Sequence, residues 1–255
     1  MSRVYPKPPL IEAVCEFRFD PGQEWDWTVP GLFYDRVQED FPLKRERKNY
    51  EVAVGEGPSE DGPSVQGLMS SWLQFVREDK SALIQVGPDL LTVNHLRPYT
   101  DWPTFKAMIQ RSFEEYQAVA KPKGFRRVGL RYINRLEIPD PSVEIEEYVQ
   151  AVPKIPDSLP QLFAKWAQQV VIPFEEKNGW LVLQTGSARE EESTESHPFM
   201  LDLDFRTLDP QQVSLETAME WIETAHKVVE ESFEACITEK SRALFEESSH
   251  DRIQA

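Results

Sequence analysis

The segment from residue 126 to residue 138, R-R-V-G-L-R-Y-I-N-R-L-E-I, constrains the fold more than any other part of the chain. From Val128 to Ile138 its even-numbered positions are apolar apart from Tyr132 and Asn134, whereas the odd-numbered positions include Arg127, Arg131 and Arg135. Because side chains alternate between the two faces of a β-strand, this pattern predicts one buried face and one polar face. Long helix-like segments flank it, so we predict a central strand whose polar face is the best place for a functional site.

Other segments predict further strands and two long helices. Strands are expected at residues 13–20, 82–86, 90–95, 170–174, 180–185 and 199–206, and another should end near residue 77. Asp101 is positioned to cap a helix whose apolar residues recur at steps of three and four as far as Ala120. A second helical pattern, from Ser214 to about Glu247, predicts the longest helix of the chain.

Both halves of the chain show a similar order of elements: a strand, a short helix, three strands and a long helix. The phrases that end strands also resemble each other, as in E-F-R-F-D-P and R-L-E-I-P-D-P. We therefore predict an α+β fold, with a mostly antiparallel sheet and long helices packed on one face. Residues 1–124 and 125–255 are then two β-α-β-β-β-α halves of one compact body, related by tandem duplication. The alternative is that two unrelated halves share common α+β patterns.

Two segments are predicted to be mainly loops. Residues 43–64 begin with alternating basic and acidic side chains and become rich in Gly, Pro and Ser, with a short strand at Tyr50–Val54. Residues 186–197 are acidic and polar. The polar face of the sheet is then either open or covered by these two loops.

The overall charge limits the classes of partner. The formal net charge is −16 and the pI is about 4.8, so duplex DNA would be repelled. The two cysteines, Cys15 and Cys236, lie on apolar stripes and are expected to be buried free thiols, as suits the cytoplasm. No apolar run approaches the length of a spanning helix, so no membrane contact is expected. The number of subunits stays open.

The polar face of the predicted sheet collects the candidate binding residues. They are Glu16, Arg18, Asn94, Arg131, Arg135, Asp202, Asp204 and Arg206. Gln74, Gln85, Thr92 and Gln184 extend the same face. One interpretation is a ladder of cross-strand ion pairs in solvent, and the other is a platform for an acidic partner segment or an anionic small ligand. If Arg131 anchors a ligand, replacing it with alanine should weaken binding and barely change stability.

Catalytic signatures are weak. The carboxylates Glu16, Asp202 and Asp204 could together hold a magnesium ion for phosphodiester hydrolysis, although nearby arginines would oppose this. His226 is expected to lie within the long helix with its ring hydrogen-bonded and no catalytic role, whereas His95, next to Asn94, stays a site candidate. The motifs G-x-S-x-G, G-x-x-x-x-G-K-[ST] and H-E-x-x-H do not occur, so we expect no cofactor.

Three phrases together resemble a known family: Y-P-K-P-P-L-I-E-A-V-C-E-F-R-F from residue 5, I-Q-V-G-P-D-L-L-T-V-N from residue 84 and V-G-L-R-Y-I-N-R from residue 128. They are similar to those of a sporadically distributed bacterial family whose members have about this length. That family has no assigned activity, so the resemblance implies no catalytic residue. Its patchy distribution implies an accessory gene, such as one of a mobile or defence locus.

Three functions are consistent with these observations. The leading hypothesis is a non-enzymatic binding or regulatory component of a bacterial accessory system, acting on a protein partner. The first alternative is a binder of nucleotides or nucleic-acid fragments that uses the arginine-bearing face. The second is a metal-dependent phosphodiesterase.

Overall fold

A computed structural model describes residues 5–20, 25–54, 65–138, 144–160, 165–188 and 197–246. The strands of these ranges are β1 (Leu10–Phe19), β2 (Leu43–Val54), β3 (Val65–Val76), β4 (Ala82–Gly87), β5 (Leu90–Leu96), β6 (Phe125–Ile138), β7 (Ala167–Phe174), β8 (Gly179–Ser187) and β9 (His197–Thr207). The helices are α1 (Val29–Val37), α2 (Trp102–Ala120), α3 (Ala218–Cys236) and α4 (Glu239–Glu246). Short 3-10 turns occupy Ile145–Glu147, Glu175–Lys177 and Pro210–Gln212.

The strands of the described ranges form a single antiparallel sheet, which confirms the predicted α+β class and the mostly antiparallel sheet. Their order is β2-β3-β4-β5-β1-β6-β9-β8-β7. Strand β6 lies inside this sheet, hydrogen-bonded to β1 on one side and to β9 on the other. The segment 126–138 is therefore a central antiparallel strand, as its pattern predicted.

Burial along β6 follows the alternation of its sequence. The even-numbered residues from Val128 to Ile138 are all buried, including Asn134. The odd-numbered residues from Arg127 to Glu137 are partly exposed, except for Gly129. Apart from Asn134, these buried residues join the main hydrophobic core, so the hydrophobic effect orients this strand and leaves Arg127, Arg131 and Arg135 on the other face.

The two long helices contribute aromatic side chains to this core. Helix α2 begins as predicted, because the Asp101 carboxylate accepts a hydrogen bond from the Thr104 backbone N–H at 2.7 Å. On α2, the Phe113 ring stacks on Phe17 of β1 with centroids 4.7 Å apart. On α3, Trp221 stacks on Phe205 of β9 at 5.5 Å.

The C-terminal helix differs from the prediction, because the expected single helix from Ser214 to about Glu247 is interrupted. Ile237 has an extended backbone (φ −111°, ψ 159°) and forms a β-bridge with Val149. The Thr238 N–H and the Ser241 hydroxyl both donate hydrogen bonds to the Tyr148 carbonyl oxygen. These tertiary hydrogen bonds replace helical ones. The apolar periodicity of the sequence continues through Ile237, so it does not indicate that the helix is interrupted there.

The segment 43–64 was also predicted incorrectly in part. Residues 43–54 form strand β2, which pairs with β3 over its whole length, from Leu43 opposite Val76 to Val54 opposite Val65. Residues 43–47 are exposed, so the edge strand carries charged side chains on both faces and lacks the alternation that identifies a half-buried strand. Residues 55–64 lie outside the described ranges, as do residues 189–196 of the second predicted loop.

The sheet has the same outward order on both sides of its centre. From β1 the neighbours are β5, β4 and β3, and from β6 they are β9, β8 and β7. The first half adds the edge strand β2. It also has helix α1, whereas the second half has the 3-10 turn Ile145–Glu147 in place of its predicted short helix. Each half therefore contributes its first strand to the centre of the sheet.

Candidate functional site

The eight predicted binding residues lie on four neighbouring strands. Glu16 and Arg18 are on β1, Asn94 is on β5, Arg131 and Arg135 are on β6, and Asp202, Asp204 and Arg206 are on β9. Since the strands are ordered β5-β1-β6-β9, residues far apart in sequence come together. Arg131, for example, lies directly opposite Val14 on one side and Asp204 on the other.

The centre of this polar face is the ion pair between Arg131 and Asp202. Arg131 Nε donates a hydrogen bond to Asp202 Oδ1 at 2.8 Å, and its Nη2 donates to Asp202 Oδ2. The Asp202 side chain is 11% exposed and that of Arg131 is 41% exposed. The hydrogen bond to Asp202 raises the pKa of Arg131, so the guanidinium stays charged.

The remaining charged residues of the face also form pairs. Glu16 accepts a hydrogen bond from Arg127 Nε at 2.9 Å and lies 3.4 Å from Arg18 Nη2. Arg206 Nε donates to Asp204 at 2.8 Å, which raises the pKa of Arg206. Of the two remaining arginines on this face of β6, Arg135 was predicted to be a binding residue and Arg127 was not. Arg135 pairs with Glu137 on its own strand, and Arg127 was missed although it lies at an odd-numbered position of β6.

Each carboxylate of the predicted magnesium triad is paired with an arginine. Arg127 and Arg18 bind Glu16, Arg131 binds Asp202, and Arg206 binds Asp204. In the ranges that the structure describes, no three His, Cys, Asp or Glu side chains are grouped so that they could hold a metal ion.

An amide ladder continues the polar face toward β3. Gln74 Nε2 donates to Gln85 Oε1 at 2.9 Å, and Gln85 Nε2 donates to Thr92 Oγ1 at 2.8 Å. Thr92 then donates to Asn94 Oδ1 at 3.1 Å, and Asn94 Nδ2 donates to Glu12 at 2.6 Å. Asn94 is buried and hydrogen-bonded on both sides, so the geometry gives it a structural role in holding β5 against β1.

An open groove lies beside the Arg131–Asp202 pair, over strands β6, β9, β8 and β7. Its volume is about 530 Å³. The side chains that line it are mainly neutral and include Ile133, Gln168, Gln169, Gln184, Thr185 and Met200. Gln184 Nε2 donates to Gln169 Oε1 at 2.9 Å, and Gln168 Nε2 donates to the Ala151 carbonyl oxygen at 3.0 Å. The sequence identified Gln184 but not the glutamines of β7, which lie outside the arginine-bearing strands.

Two histidines, His226 on α3 and His95 on β5, are buried and hydrogen-bonded. His226 Nδ1 lies 3.0 Å from the Tyr132 hydroxyl, and His226 Nε2 lies 3.2 Å from Glu230. The His226 ring also stacks on Trp102, with centroids 3.9 Å apart. His95 is buried, with Nδ1 3.0 Å from the Leu96 carbonyl oxygen and Nε2 3.2 Å from the Thr100 hydroxyl. His226 therefore connects α3 to β6 and α2, whereas His95 holds the loop that follows β5.

Comparison with known proteins adds no family assignment. Among the described residues, no helix combines the length and the apolar character needed to cross a membrane. No protein-family model matches the chain, and no curated protein matches it. The resemblance based on the three sequence phrases therefore remains an expectation from the sequence.

Proposed function

We propose that this chain is a non-enzymatic binding component of a bacterial accessory system, and that the groove beside Arg131 and Asp202 receives an extended segment of a protein partner. The observation that carries the proposal is the chemistry of the groove. Amide and hydroxyl side chains and the apolar side chains of Ile133 and Met200 line it, next to one ion pair whose charges cancel.

The balance of charge favours a polypeptide over a phosphate ligand. Among the described residues that line the groove, Arg131 is the only cation, and Asp202 binds it through two hydrogen bonds. A phosphate group would have to compete with this carboxylate and would lie close to it, at a cost in electrostatic free energy. A peptide brings no such charge.

The neutral side chains of the groove suit a peptide backbone. Gln169 and Gln184 each carry one acceptor oxygen and two N–H donors, so they can bind both the N–H and the C=O groups of an extended segment. Ile133 and Met200 supply apolar surface on which a side chain of the partner can be buried. Groups of this kind give specificity for shape and sequence and need no catalytic residue.

We also propose that the two halves arose by tandem duplication, that both long helices pack on one face of the sheet, and that the protein is cytoplasmic. A tandem duplication of residues 1–124 and 125–255 is supported by the matching outward order of strands around β1 and β6. Packing of both long helices on one face is supported by the stacking of Phe113 on Phe17 and the contact of His226 with Tyr132. Location in the cytoplasm is supported by the buried free thiols Cys15 and Cys236.

Affinity purification from the native bacterium, followed by mass spectrometry, tests the proposal. The captured partner is then titrated against the wild-type protein and against Gln184→Lys, which puts a longer, positively charged side chain into the groove. We expect Gln184→Lys to weaken binding by tenfold or more, about 1.4 kcal/mol. The matched control is Gln211→Lys on an exposed 3-10 turn outside the groove, which should leave binding unchanged.

Other outcomes separate the alternatives. A nucleotide that co-purifies with the protein and is lost in Arg131→Ala would favour the nucleotide binder. Magnesium-dependent turnover of a phosphodiester, abolished by Asp202→Asn, would favour the phosphodiesterase. A protein partner that binds wild type and Gln184→Lys equally well would exclude the groove as its site.

A further inference from the structure

Strand β7 is an edge strand of the sheet, and the backbone N–H and C=O groups along its outer side point away from β8. In the described ranges its strand partner is β8. The Ser187 N–H donates to the Trp166 carbonyl oxygen at 3.0 Å, just before β7 begins. Since hydrogen-bonded pairs alternate in an antiparallel ladder, residues 168, 170, 172 and 174 direct their backbone groups toward β8. Residues 167, 169, 171 and 173 then direct theirs outward.

The position of proline agrees with this assignment. Pro173 has no backbone N–H, and it falls at an outward position, where the ladder with β8 loses nothing. The N–H groups of Ala167, Gln169 and Val171 are left on the outer edge, together with the carbonyl groups of the same residues and of Pro173.

The residues Val170, Val171 and Ile172 of β7 are apolar and are exposed on both faces of the strand. Val170 is 45% exposed and Ile172 36% on one face, and Val171 is 50% exposed on the other. Trp180, opposite Pro173, is 39% exposed. Natural proteins usually protect an edge strand with charges, a bulge or a covering element, and an exposed apolar edge invites pairing with another strand.

The charges around β7 are self-complementary. The strand A-Q-Q-V-V-I-P-F carries no charge in a chain of net charge −16. Its ends are flanked by Lys165 on one side and Glu175 on the other, and both residues are exposed. If two copies of the strand pair antiparallel about a two-fold axis through Val170, Lys165 of each copy faces Glu175 of the other. An acidic protein can therefore pair with itself here without bringing like charges together.

We propose that the outer edge of β7 is a dimerisation site, at which a second copy of this chain adds its own β7 and extends the sheet across a two-fold axis. In this register Val170 faces Val170, and Gln169 forms a hydrogen-bonded pair with Val171 of the other copy. Ala167 faces Pro173, so the missing N–H of the proline leaves only the Ala167 carbonyl oxygen without its ladder donor. The inference does not rest on the proposed function of the groove.

The register gives a specific cross-linking test. Val170 of the two copies forms a non-hydrogen-bonded pair, whose Cα atoms are about 4.5 Å apart in antiparallel sheets. A Val170→Cys variant should therefore form an intermolecular disulfide on mild oxidation, because this distance lies within disulfide range. In Ile172→Cys the two thiols are four residues out of register, about 13 Å apart along the strand, so that variant should stay reduced. Cys15 and Cys236 are buried and should not interfere.

Sedimentation velocity over a wide range of protein concentration tests the dimer itself. Val170→Asp places two carboxylates against each other and should raise the dissociation constant of the dimer by about tenfold or more. Lys165→Glu alone and Glu175→Lys alone should each weaken the dimer, and the double variant should restore it. Far-UV circular dichroism shows that each variant is folded.

Several results would overturn the proposal. One is a wild-type protein that remains monomeric at every concentration. Another is equal cross-linking of Val170→Cys and Ile172→Cys. A dimer insensitive to both Val170→Asp and the charge exchange would place the interface elsewhere.

Discussion

Arg131 and Asp202 form an ion pair with two hydrogen bonds across β6 and β9, although the residue directly opposite Arg131 is Asp204. The pairing is diagonal because Asp204 is itself bound by Arg206, two residues along β9. Two arginines and two aspartates thus form two separate pairs. This arrangement leaves the groove beside Arg131 close to neutral and decides what kind of ligand it suits.

The Arg131–Asp202 pair should matter for stability. Replacing Arg131 with alanine leaves the mostly buried Asp202 carboxylate without its charged partner, so we expect a loss of about 1–3 kcal/mol in the free energy of unfolding. The sequence alone suggested little change in stability for this variant. Urea denaturation measures the loss, and a double-mutant cycle with Asp202→Ala isolates the pair.

Arg18→Ala is the matched control for Arg131→Ala. Arg18 is 38% exposed and lies 3.4 Å from Glu16, which Arg127 also binds. Its loss should therefore cost less than about 1 kcal/mol. Equal losses for Arg18→Ala and Arg131→Ala would show that burial of Asp202 does not strengthen the central pair.

The buried hydroxyl of Tyr132 should stabilise the contact between the sheet and α3. It lies 3.0 Å from His226 Nδ1 and 3.3 Å from the Tyr99 hydroxyl, and burial raises the pKa of Tyr132. Tyr132→Phe removes the partner of a buried imidazole nitrogen, so we expect a loss of about 1–3 kcal/mol in thermal or urea unfolding. In the control, Tyr34→Phe, the hydroxyl that donates to the Pro42 carbonyl oxygen is exposed, and a loss as large as that of Tyr132→Phe would contradict the argument.

Gly179 should not tolerate a side chain. A Cβ atom at this position would lie 2.2 Å from the ring of Phe205, which is buried between Phe174 and Trp221 and cannot move aside. Gly179→Ala should cost about 1–3 kcal/mol, measured by urea denaturation. Gly31→Ala, in helix α1 with no atom within 4 Å of the new Cβ, should instead stabilise the protein by up to about 1 kcal/mol.

Both cysteines should be unreactive in the folded protein. Burial raises the pKa of Cys236 to about 11 and raises that of Cys15 well above its ordinary value. The thiolate is the reactive form, so at pH 8 alkylation should be slow, and it should become fast when denaturant exposes the thiols. Leu208→Cys introduces an exposed thiol as a control. A native cysteine that reacts as fast as this control would show that its segment opens readily.

Much of the fold follows from local sequence patterns. The alternation between residues 127 and 138 determined a strand with Arg127, Arg131 and Arg135 on one face, because only every second side chain of a strand points into the core. Asp101 determined the start of α2 in a similar way, since its carboxylate can accept the N–H group three residues later. Alternation within each strand also placed Arg131 and Asp202 on polar faces, although it does not specify that β6 and β9 are neighbours.

The tertiary structure decided the features that depend on distant residues. Ile237 breaks the C-terminal helix because it bridges to Val149, and β2 is a long strand because β3 pairs with all of it. Arg131 and Asp202 are 71 residues apart, and no local pattern specifies that Asp202, not Asp204, accepts its hydrogen bonds. The outward edge of β7 likewise exists only because β8 occupies the other edge. Local rules assign side chains to faces, whereas the order of strands in the sheet determines which faces meet.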